Sequence, residues 1–285
     1  MPSVGAARLL GSSHRAPTHS RWGPHLMLPH IGPLLYCVLL FVGMLAMLEA
    51  GRFVALRGGG GAPDDSRGRF DTVEAAVFAL FGLLIAFTFS GAANRFLEKQ
   101  MLVAEEANDI GTAYLRVDLV APPAQPALRE LFRQYLDARI AAYERLPDVS
   151  AAMSEMAKSK ELQNRIWAGA IQATRSPDAA SNAALLLLPA LNTMFDITTT
   201  RTMALQMHPP KVIFALLFAL GLLCSLLAGH RMALRGRRNW LHILGFAVFT
   251  AAVVYVILDV EYPRIGLIRI SGADRVLVEL RRSMK

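Results

Sequence analysis

Long apolar runs alternate with polar stretches along this chain, and the runs come in two pairs. Trp22 to Leu48, Ala75 to Asn94, Val212 to His230 and Asn239 to Leu258 contain no Asp, Glu, Lys or Arg. A bilayer core about 30 Å thick takes roughly 20 helical residues to cross, so each run predicts a membrane span. Between the pairs the pattern changes. Residues 95–211 carry thirteen basic and thirteen acidic side chains, which predicts a water-exposed domain inserted between spans two and three. With 54% hydrophobic residues and a mean hydropathy of +0.37, four such runs do not fit the buried helices of a soluble protein.

Breakers divide the polar region into helices. Asn94 to Leu119 has no proline and a single glycine, Gly111, so the second span is expected to continue as one helix from Ala75 to Asp118. At 1.5 Å per residue it is about 65 Å long and protrudes well beyond a bilayer. Pro122, Pro123 and Pro126 start the next helix, whose Leu128, Leu131, Phe132, Tyr135, Leu136, Ile140 and Tyr143 recur at three- and four-residue steps as one apolar face. After Pro147 a third helix is expected from Ser150 to Thr174. Ser176, Pro177 and Asp178 read as an N-cap, a first-turn proline and a first-turn acid for a fourth. That helix holds a kinking Pro189 and stops at His208-Pro209-Pro210. No strand periodicity occurs. The expected fold is therefore all-α and membrane-integral, with four transmembrane helices and a four-helix soluble domain between spans 2 and 3. Its segments are a basic N-terminal stretch (1–27, expected to be disordered), spans one and two (28–94), the soluble domain (95–210), spans three and four (211–260) and a basic tail (261–285).

Charge sharpens the topology. The net +8 is concentrated in residues 212–285, where ten basic side chains face four acidic ones. No basic stretch is interleaved with stacking aromatics, so the excess suits anionic lipid headgroups and not nucleic acid. With the N-terminus inside, thirteen basic residues near the spans lie on the inner side and eight on the outer, although four arginines between His230 and Arg238 count the other way. The balance predicts that both termini and the middle domain are cytoplasmic. Arg8, Arg15 and Arg21 precede the first run as in a signal peptide, but no small-residue cleavage site follows, so a retained span is expected.

Few residues suggest chemistry. His14, His19, His25 and His30 lack metal-ligand spacing, and Cys37 and Cys224 fall inside spans, where a thiol stays protonated and inert. There is no phosphate loop, nucleophile elbow or catalytic triad, so neither an enzyme nor a cofactor or metal is expected. Two groupings carry functional interest. After the second span, Glu98, Glu105 and Asp109 share a helical stripe with Thr112 and Arg116, which reads either as a cation-concentrating vestibule or as a solvated face paired with Arg116. Within the span, Phe78, Phe81, Ile85 and Phe89 project on one side and Leu80, Leu83, Leu84 and Phe87 on the other. Copies of this helix around an axis would turn the first set into an apolar neck that gates by dewetting. Asn192, Asp196 and Thr200 stack on the fourth soluble helix, an arrangement suited to helix–helix hydrogen bonds.

The stretch Phe81-Gly-Leu-Leu-Ile-Ala-Phe-Thr-Phe-Ser-Gly-Ala-Ala-Asn-Arg95, with Glu105-Glu-Ala-Asn-Asp-Ile-Gly-Thr-Ala-Tyr-Leu-Arg116, resembles the bacterial bestrophin-like domain family. So do Leu48-Glu-Ala-Gly-Arg52, Pro189-Ala-Leu-Asn-Thr-Met-Phe-Asp196, His208-Pro-Pro210 and Leu258-Asp-Val-Glu-Tyr-Pro-Arg-Ile-Gly-Leu-Ile-Arg-Ile270, over about residues 27–285. Through its distant similarity to bestrophins, the resemblance implies a pentameric ion channel of the bacterial inner membrane. Its termini and helical domain would be cytoplasmic, its second span would line the pore, and its partners would be the lipid bilayer, further copies of the chain and small inorganic ions. The acidic calcium clasp of animal bestrophins has no counterpart here, since only Asp259 and Glu261 follow the fourth span. The alternative is a membrane-anchored sensor or scaffold whose helical domain binds a ligand or partner. A transporter would want polar or broken spans, which these are not.

Overall fold

Pro122, Pro123, Pro209 and Pro210 fall where helices break, whereas Pro189 and most glycines lie inside helices. A computed structural model describes residues 32–57, 64–146, 148–234, 240–262, 267–268 and 271–284. The segment 1–27 lies outside them, as do all four N-terminal histidines, His14, His19, His25 and His30. Among the described residues all regular structure is helical. The helices are α1 (Gly32–Arg57), α2 (Asp64–Leu115), α3 (Gln125–Glu144), α4 (Val149–Thr174), α5 (Ala183–Gln206), α6 (Lys211–Leu234), α7 (Trp240–Glu261) and α8 (Ser271–Ser283). Four helical stretches are long and apolar enough to cross a membrane; they fall on α1, the first half of α2, α6 and α7.

These four form a diamond in which α1 and α2 each pack against both α6 and α7. Gly43 opposes Leu222 and Gly51 opposes Leu226, so α1 and α6 advance in the same direction. α2 and α7 return together, with Phe78 beside Phe246 and Arg95 beside Glu261. Among the described residues α1 and α6 make the closest backbone approach at a glycine. A Cβ placed on Gly51 would sit 1.9 Å from the Leu226 carbonyl oxygen, and one on Gly229 the same distance from that of Leu48. Only glycine lets two apolar helices bring backbone against backbone in this way, which is how helices associate when lipid offers no hydrophobic driving force.

α2 continues without a break into the soluble domain. It starts earlier than its apolar run predicts, and its last residues tighten into a 3-10 turn at Arg116–Leu119. Its distal half packs against α5 and α8, while α3 pairs with α4 and α4 touches α5. Val103, Ile110, Phe132, Ile166, Leu191 and Leu277 all contribute to one core. α4 begins at Val149, where the Asp148 carboxylate accepts from the Ala151 amide at 3.0 Å.

Two expectations change. Ser176, Pro177 and Asp178 do not open α5, which begins only at Ala183. The Ala180 amide donates to the Leu119 carbonyl at 2.9 Å, so the segment is tied as a turn to the end of α2 and cannot also supply the first helical turn. The basic tail, expected as a simple extension, holds α8. Asp274 in its first turn and Arg281 and Arg282 in its last complement the helix dipole. Leu277, Leu280 and Met284 lay one face on the soluble core, and Arg281 pairs with Asp137 of α3 at 2.7 Å. The soluble domain is thus built from five helical pieces, not four.

Candidate functional site

α2 links the bundle of membrane-length helices to the polar helical domain, and its two faces differ in what covers them. Phe78 is half-buried with its ring 5.8 Å from that of Phe246. Phe81, only 4% exposed, lies beneath Gly221 of α6, whose missing side chain makes room for the ring. Ile85 packs half-buried between the α6 and α7 sides of the bundle, and Phe89 is exposed. Three of the four expected neck residues therefore lie against the chain's own helices. The uncovered face belongs to Leu80, Leu83 and Phe87, exposed by 54%, 50% and 68%. Aromatics go where glycine and small residues on α6 leave space, and a helix apolar all round contains no signal for that choice.

Beyond the span the same open face continues. Leu97 and Met101 are exposed apolar residues on it, and Glu98 and Glu105 stand exposed beside them. At 3.6 residues per turn, Leu80, Leu83, Phe87, Glu98 and Glu105 leave α2 within about 60° of one another, opposite to the Phe81 and Ile85 side. Asp109 is half-buried, and its Oδ2 has no hydrogen-bond partner among the described residues. Burial, then the neighbouring Glu105 and Glu106, hold its carboxyl above the ordinary range. Arg116, expected as the partner of this stripe, donates instead to the Leu186 carbonyl at 2.6 Å, one turn before Pro189. Asn192, Asp196 and Thr200 face outward, with the Thr200 hydroxyl donating to the Asp196 carbonyl of its own helix.

The buried acid is the one between, Glu106. Arg139 of α3 reaches it at 2.5 Å, and Arg201 of α5 pairs with its other oxygen. Arg139 also donates to the Tyr143 hydroxyl at 2.6 Å, and the Arg201 guanidinium lies 4.0 Å from the Tyr143 ring centroid. Burial alone would raise the Glu106 carboxyl, but the two guanidiniums outweigh it and hold the group below its ordinary range. The signal was present in the pattern: Arg139 stands four residues from both Tyr135 and Tyr143, on the apolar face of its helix.

A second glutamate joins the two bundles. Glu261, at the end of α7, accepts from Arg95 Nη2 at 2.7 Å and Nε at 3.0 Å. His208 Nδ1 lies 3.1 Å from its other oxygen, and the imidazole stacks on Tyr262 at 4.7 Å. Lys99, 6% exposed, donates to the Glu261 main-chain oxygen at 3.3 Å. Burial lowers the Lys99 ammonium from its ordinary value, against the pull of Glu261. Asp259 accepts from the Leu267 and Ile268 amides, both at 2.8 Å. Both carboxylates after the fourth span are thus committed to donors of the chain itself.

These features define a class: an all-helical chain with two pairs of membrane-length helices and a helical domain between them, joined through one continuous helix. The chain belongs to the bestrophin-like domain family, whose model matches residues 63–274. The matched region runs from the start of α2 to the first turn of α8 and leaves α1, with its Leu48 to Arg52 motif, outside. No curated protein and no solved structure matches the chain.

Proposed function

We propose that this protein is a multi-pass membrane protein that assembles from several copies into an ion channel, with the open face of α2 turned toward the symmetry axis. The observation that carries the reading is the continuity of that face. Leu80, Leu83 and Phe87 in the apolar half and Leu97 and Met101 beyond it stand exposed on one side of the helix, with exposed Ser90 and Asn94 within the ten-residue step between the two groups. Lipid can cover Leu80, Leu83 and Phe87, whereas Met101, 72% exposed, stands seven residues beyond the apolar run.

In this arrangement Leu83 and Phe87 make the narrow apolar ring, and Glu98 and Glu105 stand above it as a vestibule that draws cations from solution. Phe81, Phe78 and Ile85 hold the ring from behind. Resemblance to bestrophins supports channel activity and a cytoplasmic soluble domain, as does the excess of basic residues on that side of the spans. The chain carries out no bond chemistry in this reading. Native mass spectrometry in mild detergent tests the assembly, with a defined oligomer expected and monomer alone overturning it. Ion flux from liposomes tests conduction: Leu83→Ala with Phe87→Ala should raise the leak, and an unchanged flux would remove the neck from this face.

A further inference from the structure

Around the junction Arg95, Lys99 and Lys211 face Glu261 and Glu98, one positive charge in excess. Arg95 and His208 contact the Glu261 carboxylate, Lys99 donates to the Glu261 main-chain oxygen, and Lys211 begins α6 three residues after His208. Exposed Glu98 is the other acid that acts on Lys99. Donors are left over. Arg95 spends Nε and Nη2 on Glu261, and its Nη1 turns toward Gly91, where a Cβ would come within 3.3 Å. The almost fully buried Lys99 ammonium has three hydrogens and a single acceptor at 3.3 Å among the described residues. A carboxylate only accepts, so in its contact with Glu261 His208 donates through Nδ1, and its Nε2 is a donor to an anion in the imidazolium form alone. A buried ammonium and a partly exposed guanidinium with unused donors favour an anion beside them.

Position names the anion. Arg95 follows the last residue of the apolar run of α2, Glu261 ends α7 and Lys211 starts α6, so the cluster lies where three spans leave the apolar layer on the soluble-domain side. We propose that Arg95, Lys99 and His208 form a binding site for the phosphate of an anionic lipid in that leaflet. The site then ties α2 to the membrane surface just outside the proposed neck. It rests on the reading of α1, α2, α6 and α7 as membrane spans.

Native mass spectrometry of the detergent-purified protein, with phosphatidylglycerol, phosphatidylcholine or inorganic phosphate added singly or in competition, tests the site. The wild-type chain should retain phosphatidylglycerol over phosphatidylcholine. Lys99→Met with His208→Gln leaves the Arg95–Glu261 pair in place and should weaken phosphatidylglycerol retention about fivefold or more, the value of the Lys99 charge alone near headgroups. Lys158→Met with Lys160→Met, on the exposed side of α4, removes basic side chains elsewhere and should leave it unchanged. Equal retention of the two lipids by the wild-type chain overturns the proposal even if the first double variant does not fold, and so does equal loss in both double variants. Displacement of phosphatidylglycerol by millimolar inorganic phosphate would assign the site to a free anion and overturn the lipid assignment. Carbonate extraction separates this failure from that of the underlying reading. A chain released into the soluble fraction ends the membrane reading, whereas a membrane-retained chain without lipid preference ends only this inference.

Discussion

The membrane-length bundle and the soluble bundle are joined by one helix yet held together by opposite means. Between α1 and α6, Gly51 and Gly229 bring backbone against backbone, and no ion pair is buried there among the described residues. In the soluble domain large side chains fill the core, and Glu106 with Arg139 and Arg201 is sealed inside it. In the proposed membrane arrangement the surrounding solvent accounts for the difference. In lipid, burying an apolar side chain gains nothing over leaving it exposed, so close approach and dispersion decide the packing. In water the apolar face supplies the driving force, and the core can carry the desolvation of one charged group provided its partners are in place.

The largest expected effect tests the polar centre. Glu106→Gln leaves two buried guanidiniums facing a neutral amide and should cost the soluble domain about 3–5 kcal/mol, the usual penalty for breaking a buried pair. Hydrogen exchange resolved to α3 and α5 measures it, and unaltered protection would show that the centre contributes little. The same group sets an acid limit. Its folded carboxyl is held below the unfolded value, so its stabilisation is complete above the ordinary carboxylate range and is lost as pH falls through the lowered value. Glu106→Gln should remove that acid limb from the pH profile of soluble-domain protection.

Glycine packing is tested next. Gly229→Ala places a methyl against the Leu48 carbonyl and should destabilise the α1–α6 pair by about 3 kcal/mol or more, read as unfolding in graded detergent denaturant. Gly82→Ala, on open surface with nothing within 4 Å, should be neutral or slightly stabilising. Equal behaviour of the two would erase the contrast between the bundles.

A smaller pair of effects separates the faces of α2. Phe81→Ala should lower stability by about 3 kcal/mol through the cavity it leaves and change conductance only as folding fails. Leu83→Ala with Phe87→Ala should do the reverse, raising liposome ion leak in an otherwise stable protein. Smallest of all, Glu98→Gln with Glu105→Gln should shift the reversal potential toward anions in low salt, with the shift fading as salt screens the vestibule. A reversal potential that stays put at low ionic strength would return these acids to the solvated surface.

Much of this architecture was readable in advance, and the failures share a cause. The number and order of membrane-length helices follow from runs without charge, and the continuity of α2 follows from a stretch without proline. Arg139 and Arg201 were passed over because an arginine within an apolar face looks like an interruption until its acid is known. α8 was missed because thirteen residues with five charged side chains form a helix only when Leu277, Leu280 and Met284 find α2 and α3.

The chain's own residues determined which segments are helical and which of those are long and apolar enough for a membrane, because hydropathy and backbone breakers act locally. Charge along the sequence also determined that the domain between the span pairs is polar enough for water. Tertiary structure alone decided the rotation of α2. Phe81 and Phe87 are chemically the same residue six positions apart, one sealed under Gly221 and the other open. A helix apolar on every side has no preferred direction until glycines on its neighbours create a space for one ring and not the other.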